Sequence, residues 1–161
     1  MKNIRTLVVD DEPAARSRIV RLLSNDPEIR IVAECRNGHE ALNAIQQEPV
    51  DLVFLDVQMP QLSGFDVVEK FAPGQMPFVV FVTAHDRYAT KAFDVRAVDY
   101  LLKPYDDDRF YTSLARAKDF IEMRENKRLT GRLMDLVQDH LNTRREFTQV
   151  IVIKEKGREF R

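Results

Sequence analysis

Acidic residues stand at the ends of two apolar runs in this sequence. Residues 53–56 read VFLD, so Asp56 closes a run suited to burial, and Asp10 and Asp11 follow the run at residues 6–9. A carboxylate at the edge of an apolar core is costly unless a cation pairs with it or water reaches it. Asp56 is therefore either a solvated strand end or part of a charged site.

A hydroxyl and an ammonium group end two further apolar runs. Thr83 closes the run at residues 78–83, and Lys103 follows another run directly before Pro104. If these runs are neighbouring strands of one parallel sheet, about 4.8 Å apart, the carboxylates, the hydroxyl and the ammonium meet at one edge. Carboxylates packed so closely repel each other unless a cation joins them, and a site with oxygen ligands alone favours Mg²⁺.

This set of groups suits the transfer of a phosphoryl group. A carboxylate can attack phosphorus and form an aspartyl-phosphate, while an ammonium group and a hydroxyl stabilise the charge that develops on the phosphoryl oxygens. Asp56 is the preferred acceptor because its strand is predicted to lie centrally in the sheet. No cluster of His or Cys residues has the spacing of a zinc site.

The elements that must position these residues alternate between strand and helix patterns. Val- and Ile-rich runs that are nearly continuously apolar predict strands covered on both faces, at residues 6–10, 29–35, 51–56, 78–84 and 97–103. Apolar residues at helical spacing predict helices at about 13–23, 39–47, 64–71, 86–94 and from 107 onward. This alternation predicts an α/β fold, a doubly wound, flavodoxin-like domain whose five-stranded parallel sheet has the order 2-1-3-4-5. In such sheets ligands bind at the carboxyl ends of the strands.

Four segments resemble the receiver domain of two-component response regulators. They are VVDDEP, VFLDVQMPQLSGFD, VFVTAHD and AVDYLLKP, in this order across residues 1–121. The resemblance implies that Asp56 accepts a phosphoryl group from a sensor histidine kinase. It also implies that Asp11 and Asp56 bind Mg²⁺ directly, with the backbone carbonyl of Gln58, while Asp10 acts mainly through water.

The same resemblance assigns roles to residues around the acceptor. Lys103 is expected to pair with the phosphoryl oxygens, and the peptide bond between Lys103 and Pro104 is expected to be cis. Thr83 is expected to donate a hydrogen bond from its hydroxyl to one of those oxygens. Tyr100 matches an aromatic residue whose ring turns inward when the threonine moves. Gln58 and His85, each two residues after a main site residue, match positions that tune dephosphorylation.

Two other functions fit parts of the pattern. An aspartate-nucleophile phosphohydrolase would also use Asp56, but such enzymes need an acid two residues later to protonate the leaving group, and the Gln58 amide cannot do this. A flavodoxin-like cofactor binder needs hydroxyl and N–H groups after the first strand, where Asp10 and Asp11 would repel a phosphate. We therefore favour a phosphoacceptor switch, not an enzyme that turns over a substrate.

The predicted fifth helix continues well past the sheet domain. Leucines at helical spacing extend its apolar stripe, namely Leu129, Leu133, Leu136 and Leu141. A stripe that outruns its domain requires a partner surface. It predicts either a two-stranded coiled coil, and hence a homodimer, or docking on a second domain.

The chain is predicted to have three parts. A receiver domain at residues 1–121 is followed by a helical linker at 122–145, which ends in a polar break at 142–145. The segment 146–161, with FTQVIVIKEKGREF, predicts a strand, a turn at Lys156-Gly157 and a second strand. This segment, with AFDVRAVDYLLKPYDDDRF before it, resembles receivers joined to a LytTR-type DNA-binding domain, of which 146–161 would be only the start. Any DNA binding and transcription regulation would belong to that domain.

Composition narrows the remaining choices. The 161 residues are 44% hydrophobic and 32% charged, which suits a folded core, and the net charge of −1 offers no basic excess that would predict nucleic-acid binding. No apolar run is long enough to predict a membrane span, and the first residues do not fit a signal peptide, so we expect a cytoplasmic protein. The single cysteine, Cys35, rules out an internal disulfide.

Overall fold

The structure is a computed structural model that describes residues 2–72, 74–95 and 97–152; the side chains of residues 93, 94 and 144–152 lie outside that description. The chain divides into two units, Met1–Ile121 and Glu122–Arg161. The first unit contains the sheet and the predicted site.

One parallel sheet organises the first unit. Its strands are β1 (Ile4–Val9), β2 (Ile29–Cys35), β3 (Leu52–Asp56), β4 (Phe78–Thr83) and β5 (Asp99–Leu102). They pair in the order β2-β1-β3-β4-β5, which confirms the predicted fold class and strand order. The α-helices are α1 (Pro13–Leu23), α2 (Gly38–Gln47), α3 (Gly64–Glu69), α4 (Ala89–Asp94) and α5 (Asp107–Val152), with a 3₁₀ turn at Asp86–Tyr88 before α4. In the part of the chain that is described, no helix is long and apolar enough to cross a membrane.

The central strands β1, β3 and β4 are buried on both faces, as their composition predicts, whereas the edge strands β2 and β5 are only partly buried. Along β3, Phe54 packs on one side, where its ring stacks on Phe110 of α5 with the centroids 5.2 Å apart. Val53 and Leu55 point to the other side, into a second cluster that includes Phe65 of α3. Side chains alternate between the two faces of a strand, so a strand with helices on both sides must be apolar throughout.

Short polar motifs start the helices that surround the site. Pro13 opens α1, where its missing N–H has no helical partner to lose. The Asn37 side chain accepts a hydrogen bond from the backbone N–H of Glu40 at the start of α2. At the start of α3, Ser63 and Asp66 cap each other's backbone N–H groups. The starts of α1 and α3 end the loops that carry Asp10, Asp11 and Gln58.

The structure corrects the prediction for residues 142–152. The predicted polar break at 142–145 is wrong, because α5 continues without interruption, and the predicted strand is wrong up to Val152. A helix satisfies its backbone N–H and C=O groups internally, whereas a strand at this place would need a neighbouring strand, and the described residues after Ile121 form none. The predicted turn at Lys156-Gly157, like the rest of 153–161, lies outside the described residues.

Candidate functional site

Strand register brings the predicted acidic residues together. Val9 pairs with Leu55 across β1 and β3, so the next residues, Asp10 and Asp56, are neighbours at the carboxyl edge of the sheet. The side chains of Asp10, Asp11 and Asp56 each place a carboxylate oxygen within 4.8 Å of the other two. Asp10 and Asp56 are buried, with 0% and 4% of their surface exposed, whereas Asp11 faces solvent. The cluster is therefore shielded from solvent on the side of Asp10 and Asp56 and open to solvent on the side of Asp11.

Lys103 joins this cluster from the end of β5. Its Nζ lies 2.9 Å from Asp10 Oδ2 and 3.8 Å from Asp56 Oδ2. Burial lowers the pKa of Lys103, but its hydrogen bond to Asp10 and the charges of Asp56 and Asp10 outweigh that effect, so the pKa is raised overall. The ammonium group therefore stays charged between two carboxylates.

The surroundings of Asp56 do not offset the cost of burying its charge. Burial and the charge of Asp10 raise its pKa to about 7, although Lys103 and the hydrogen bond from the Gln58 backbone N–H, at 3.2 Å from Oδ1, act in the opposite direction. Asp51, just before the same strand, has a paired charge instead, because the Arg5 guanidinium donates hydrogen bonds to both its carboxylate oxygens at 3.0 and 3.1 Å. The environment of Asp56 thus favours a further cation or a change that removes its charge.

The donor set suits a small, hard divalent cation. Three carboxylates supply oxygen ligands, and the exposed side of the cluster leaves room for the water molecules that Mg²⁺ keeps. An open cleft of about 680 Å³ leads to the cluster. Its lining includes Asp11, Asp56, Gln58 and Lys103 of the predicted site residues, together with Met59, Phe65, Tyr88 and Lys91.

Three other predicted residues lie beside the cleft. Thr83 is fully buried at the end of β4, where its backbone C=O accepts a hydrogen bond from the Lys103 N–H at 2.7 Å. The Thr83 hydroxyl accepts a bond from the His85 N–H at 3.3 Å, and the Tyr100 hydroxyl donates to the His85 carbonyl. Backbone and side-chain bonds therefore link these three residues to Lys103. The Lys103–Pro104 peptide bond is cis, as the resemblance implies.

Two features of the site were not predicted. Gly64, the first residue of α3, lies so close to β3 that a Cβ atom there would be 2.5 Å from the carbonyl oxygen of Asp56. The Tyr88 hydroxyl accepts hydrogen bonds from the side chains of Gln58 at 3.0 Å and Arg87 at 2.9 Å. A glycine at a helix start and a tyrosine just after β4 are visible in the sequence, but no spacing rule shows which atoms they approach.

Comparisons with known proteins agree with this geometry. Residues 6–115 match the family model described as response regulator receiver domain. Transcriptional regulatory protein BtsR of Escherichia coli K12 is 45% identical over 115 residues, which are 71% of this chain and 48% of that protein. An uncharacterized response regulatory protein of Shewanella oneidensis is 47% identical over 115 residues, with 71% and 49% covered. The chain thus spans about half the length of these curated relatives.

A solved structure shows the same fold. The crystal structure of the response regulatory domain of mrkE from Klebsiella pneumoniae superposes with a TM-score of 0.69 at 32% identity, covering 74% of this chain and 99% of that one. The family match extends over the strands and loops that carry the acidic cluster and Lys103. The chain therefore belongs to the response regulator receiver domain family.

Proposed function

We propose that this chain is the phosphoacceptor switch of a two-component system and that Asp56 takes a phosphoryl group from a histidine kinase. One observation carries the proposal. Asp10, Asp11 and Asp56 place carboxylate oxygens within 4.8 Å of one another, while the Lys103 amine stands 2.9 and 3.8 Å from two of these carboxylates. Such an arrangement suits transfer of a dianionic group to a buried carboxylate.

Four residues would hold Mg²⁺ at this site. Asp11 and Asp56 with the backbone carbonyl of Gln58 would bind it directly, and Asp10 through water. The bound ion would neutralise charge on the phosphoryl oxygens. An Asp56 oxygen attacks phosphorus as the bond from phosphorus to the donor nitrogen breaks, and the electron pair of that bond leaves with the nitrogen. Lys103 pairs with a phosphoryl oxygen.

The effect of phosphorylation at Asp56 would reach the protein surface through Thr83, His85 and Tyr100. The bound phosphoryl group carries about −1.5 to −2 charge, which attracts the Lys103 ammonium and the proton of the Thr83 hydroxyl. Movement of Thr83 would disturb its bond from the His85 N–H, and the Tyr100 hydroxyl bonds the carbonyl of that same residue. His85 and Gln58 would also set how fast the phosphoryl group is lost, without any turnover of a separate substrate.

Labelling with a small phosphodonor tests the acceptor. Wild-type protein incubated with acetyl phosphate and Mg²⁺ should gain the mass of one phosphoryl group, and Asp56→Asn should not, because the amide is a poor nucleophile. Asp51→Asn is a matched control, since Asp51 immediately precedes the same strand and pairs with Arg5. It should keep the label if circular dichroism shows that it folds. Undiminished, Mg²⁺-dependent labelling of Asp56→Asn would refute the assignment.

We also propose that the second part of α5 pairs with the same helix of a second copy. Leu129, Leu133 and Leu136 follow the four-and-three spacing of a coiled-coil seam and are 57%, 53% and 65% exposed. Asn126, seven residues before Leu133, takes an inward position in the same register. A single asparagine at such a position favours a two-stranded, in-register pair.

Light scattering tests the pairing. Leu133→Glu should lower the mass from dimer to monomer, because it places like charges opposite each other in the seam. Met134→Glu is the matched control, since Met134 is 64% exposed but lies outside the seam, and it should leave the mass unchanged. Beryllofluoride, a mimic of the phosphoryl group, should increase the dimer fraction of wild type. A monomeric wild type under both conditions would contradict the proposal.

In a longer protein, we propose that this switch controls a LytTR-type DNA-binding domain. Support comes from the resemblance of AFDVRAVDYLLKPYDDDRF, residues 92–110, to receivers joined to such a domain, and from BtsR, a relative of about twice the length that is named a transcriptional regulatory protein. The division into a receiver at 1–121, a linker at 122–145 and the start of that domain remains part of this proposal. Phosphorylation-dependent binding of such a longer protein to promoter DNA would test it.

A further inference from the structure

A side-chain hydrogen bond joins the two walls of the cleft above the acidic cluster. Gln58 belongs to the loop after β3, whereas Tyr88 closes the 3₁₀ turn that follows β4. The Gln58 amide nitrogen donates to the Tyr88 hydroxyl at 3.0 Å, and both residues line the cleft that contains Asp56. This bond is a bridge across the opening through which small molecules reach Asp56.

The tyrosine side of the bridge is held in place by its neighbours. The Tyr88 ring meets the edge of Phe65 with the centroids 5.8 Å apart, and the buried Phe65 packs on Phe81 at 4.8 Å. The ring also lies perpendicular to that of His85 at 6.1 Å. The Arg87 guanidinium donates to the same hydroxyl at 2.9 Å. Contacts with the buried Phe65, with His85 and with Arg87 therefore fix the position of the Tyr88 hydroxyl.

The glutamine side is much less constrained. The Gln58 side chain is exposed, and its backbone N–H binds Asp56 Oδ1, which places its Cα next to the acceptor. A glutamine side chain has several rotatable bonds and loses substantial entropy when it is held in one conformation. Without the Tyr88 hydroxyl, it would sample positions away from the opening.

We propose that Tyr88 is a positioning residue that lengthens the life of a phosphoryl group on Asp56 by holding Gln58 across the cleft. The inference rests on the proposed function. Loss of the group requires water to attack phosphorus from the side opposite the Asp56 oxygen. The phosphorus–oxygen bond to Asp56 breaks, its electron pair returns to the carboxylate, and the water proton passes to solvent as phosphate leaves. The bridge narrows the path of that water.

The test measures loss of label from purified, phosphorylated protein at fixed Mg²⁺. Tyr88→Phe keeps the ring and removes only the hydroxyl, so we expect dephosphorylation to accelerate about two- to tenfold, the range that corresponds to one partly exposed hydrogen bond. Gln58→Ala should accelerate it similarly. The double variant should be no faster than the faster single variant, because both substitutions break the same bond.

Tyr111→Phe is the matched control. It also removes a hydrogen-bonded hydroxyl, one that donates to the Leu22 carbonyl at 2.8 Å on the other side of the sheet, and it should leave the rate unchanged. Unchanged or slower loss in Tyr88→Phe, or effects of the two single variants that multiply in the double variant, would overturn the inference. A wild type that takes no label would instead refute the proposed function, and the inference would fall with it.

Discussion

Replacing Asp56 by Asn should stabilise the metal-free protein at neutral and higher pH, although it removes the proposed acceptor. Asp56 is 4% exposed, and burial together with the charge of Asp10 raises its pKa to about 7. The wild-type protein must therefore either keep a proton on this carboxyl or hold an unfavourable buried charge. An amide of similar size has neither cost.

The pKa of Asp56 sets the size of the effect. The pKa of Asp56 is about 7 in the folded protein and about 3.9 in the unfolded chain. At about 1.36 kcal/mol per pH unit, this difference limits the gain in the free energy of unfolding to about 4 kcal/mol. Water in the open cleft screens part of this, so we expect about 2 kcal/mol. Because the folded-state pKa is raised, the folded protein holds more protons between these two values. The contribution of Asp56 to the free energy of unfolding of the wild type therefore falls as pH rises from about 4 to about 7 and then levels off.

Urea unfolding in the presence of a chelator measures this effect. At about pH 8, Asp56→Asn should be more stable than the wild type by about 2 kcal/mol, and at about pH 4 the two should be nearly equal. Added Mg²⁺ should raise the stability of the wild type at pH 8 and leave that of the variant nearly unchanged, because the ion needs the carboxylate.

A second carboxylate provides the control for this experiment. Asp51→Asn removes a charge that Arg5 pairs at 3.0 and 3.1 Å, so it should destabilise the protein at pH 8 by about 1–3 kcal/mol. The two substitutions are expected to have opposite signs although both remove a buried aspartate. If Asp56→Asn were no more stable than the wild type at pH 8, or gained equally at both pH values, the electrostatic reasoning would be wrong.

Three further predictions follow from single features. The apparent affinity for Mg²⁺ should weaken as pH falls below about 7, because the proton that burial retains on Asp56 must leave; calorimetry at two pH values tests this, and a constant affinity would contradict it. Gly64→Ala should destabilise the fold by about 1–3 kcal/mol in thermal unfolding, since its Cβ would lie 2.5 Å from the Asp56 carbonyl oxygen. Gln61 has a φ of 69°, a left-handed conformation that glycine adopts with less strain. Gln61→Gly should therefore raise the free energy of unfolding by about 0.5 kcal/mol in the same assay, whereas a loss of stability would show that the Gln61 side chain makes a stabilising contact.

The strands were predictable because their signals are local and strong, and the sheet order followed from the alternation of strands and helices along the chain. Each core strand is apolar over nearly its whole length, and the polar residues that follow, such as Asp10 and Lys103, mark where burial ends. Residues 146–152 show the limit of this reasoning. Their β-branched composition predicts a strand, but the backbone there is helical. Strand propensity depends on partner strands that a local pattern does not supply.

The sequence alone determined which chemical groups lie at the carboxyl edge of the sheet, because strand ends and side-chain alternation follow from the order of apolar and polar residues. Only the tertiary structure decided that Lys103 lies closer to Asp10 than to Asp56, that the Asp56 carbonyl leaves no room for a Cβ at Gly64, and that Tyr88 reaches Gln58 across the cleft. Electrostatic and hydrogen-bond energies change steeply over fractions of an ångström and with burial. Distances between atoms that are remote along the chain are set by the packing of the whole domain, so no local pattern contains them.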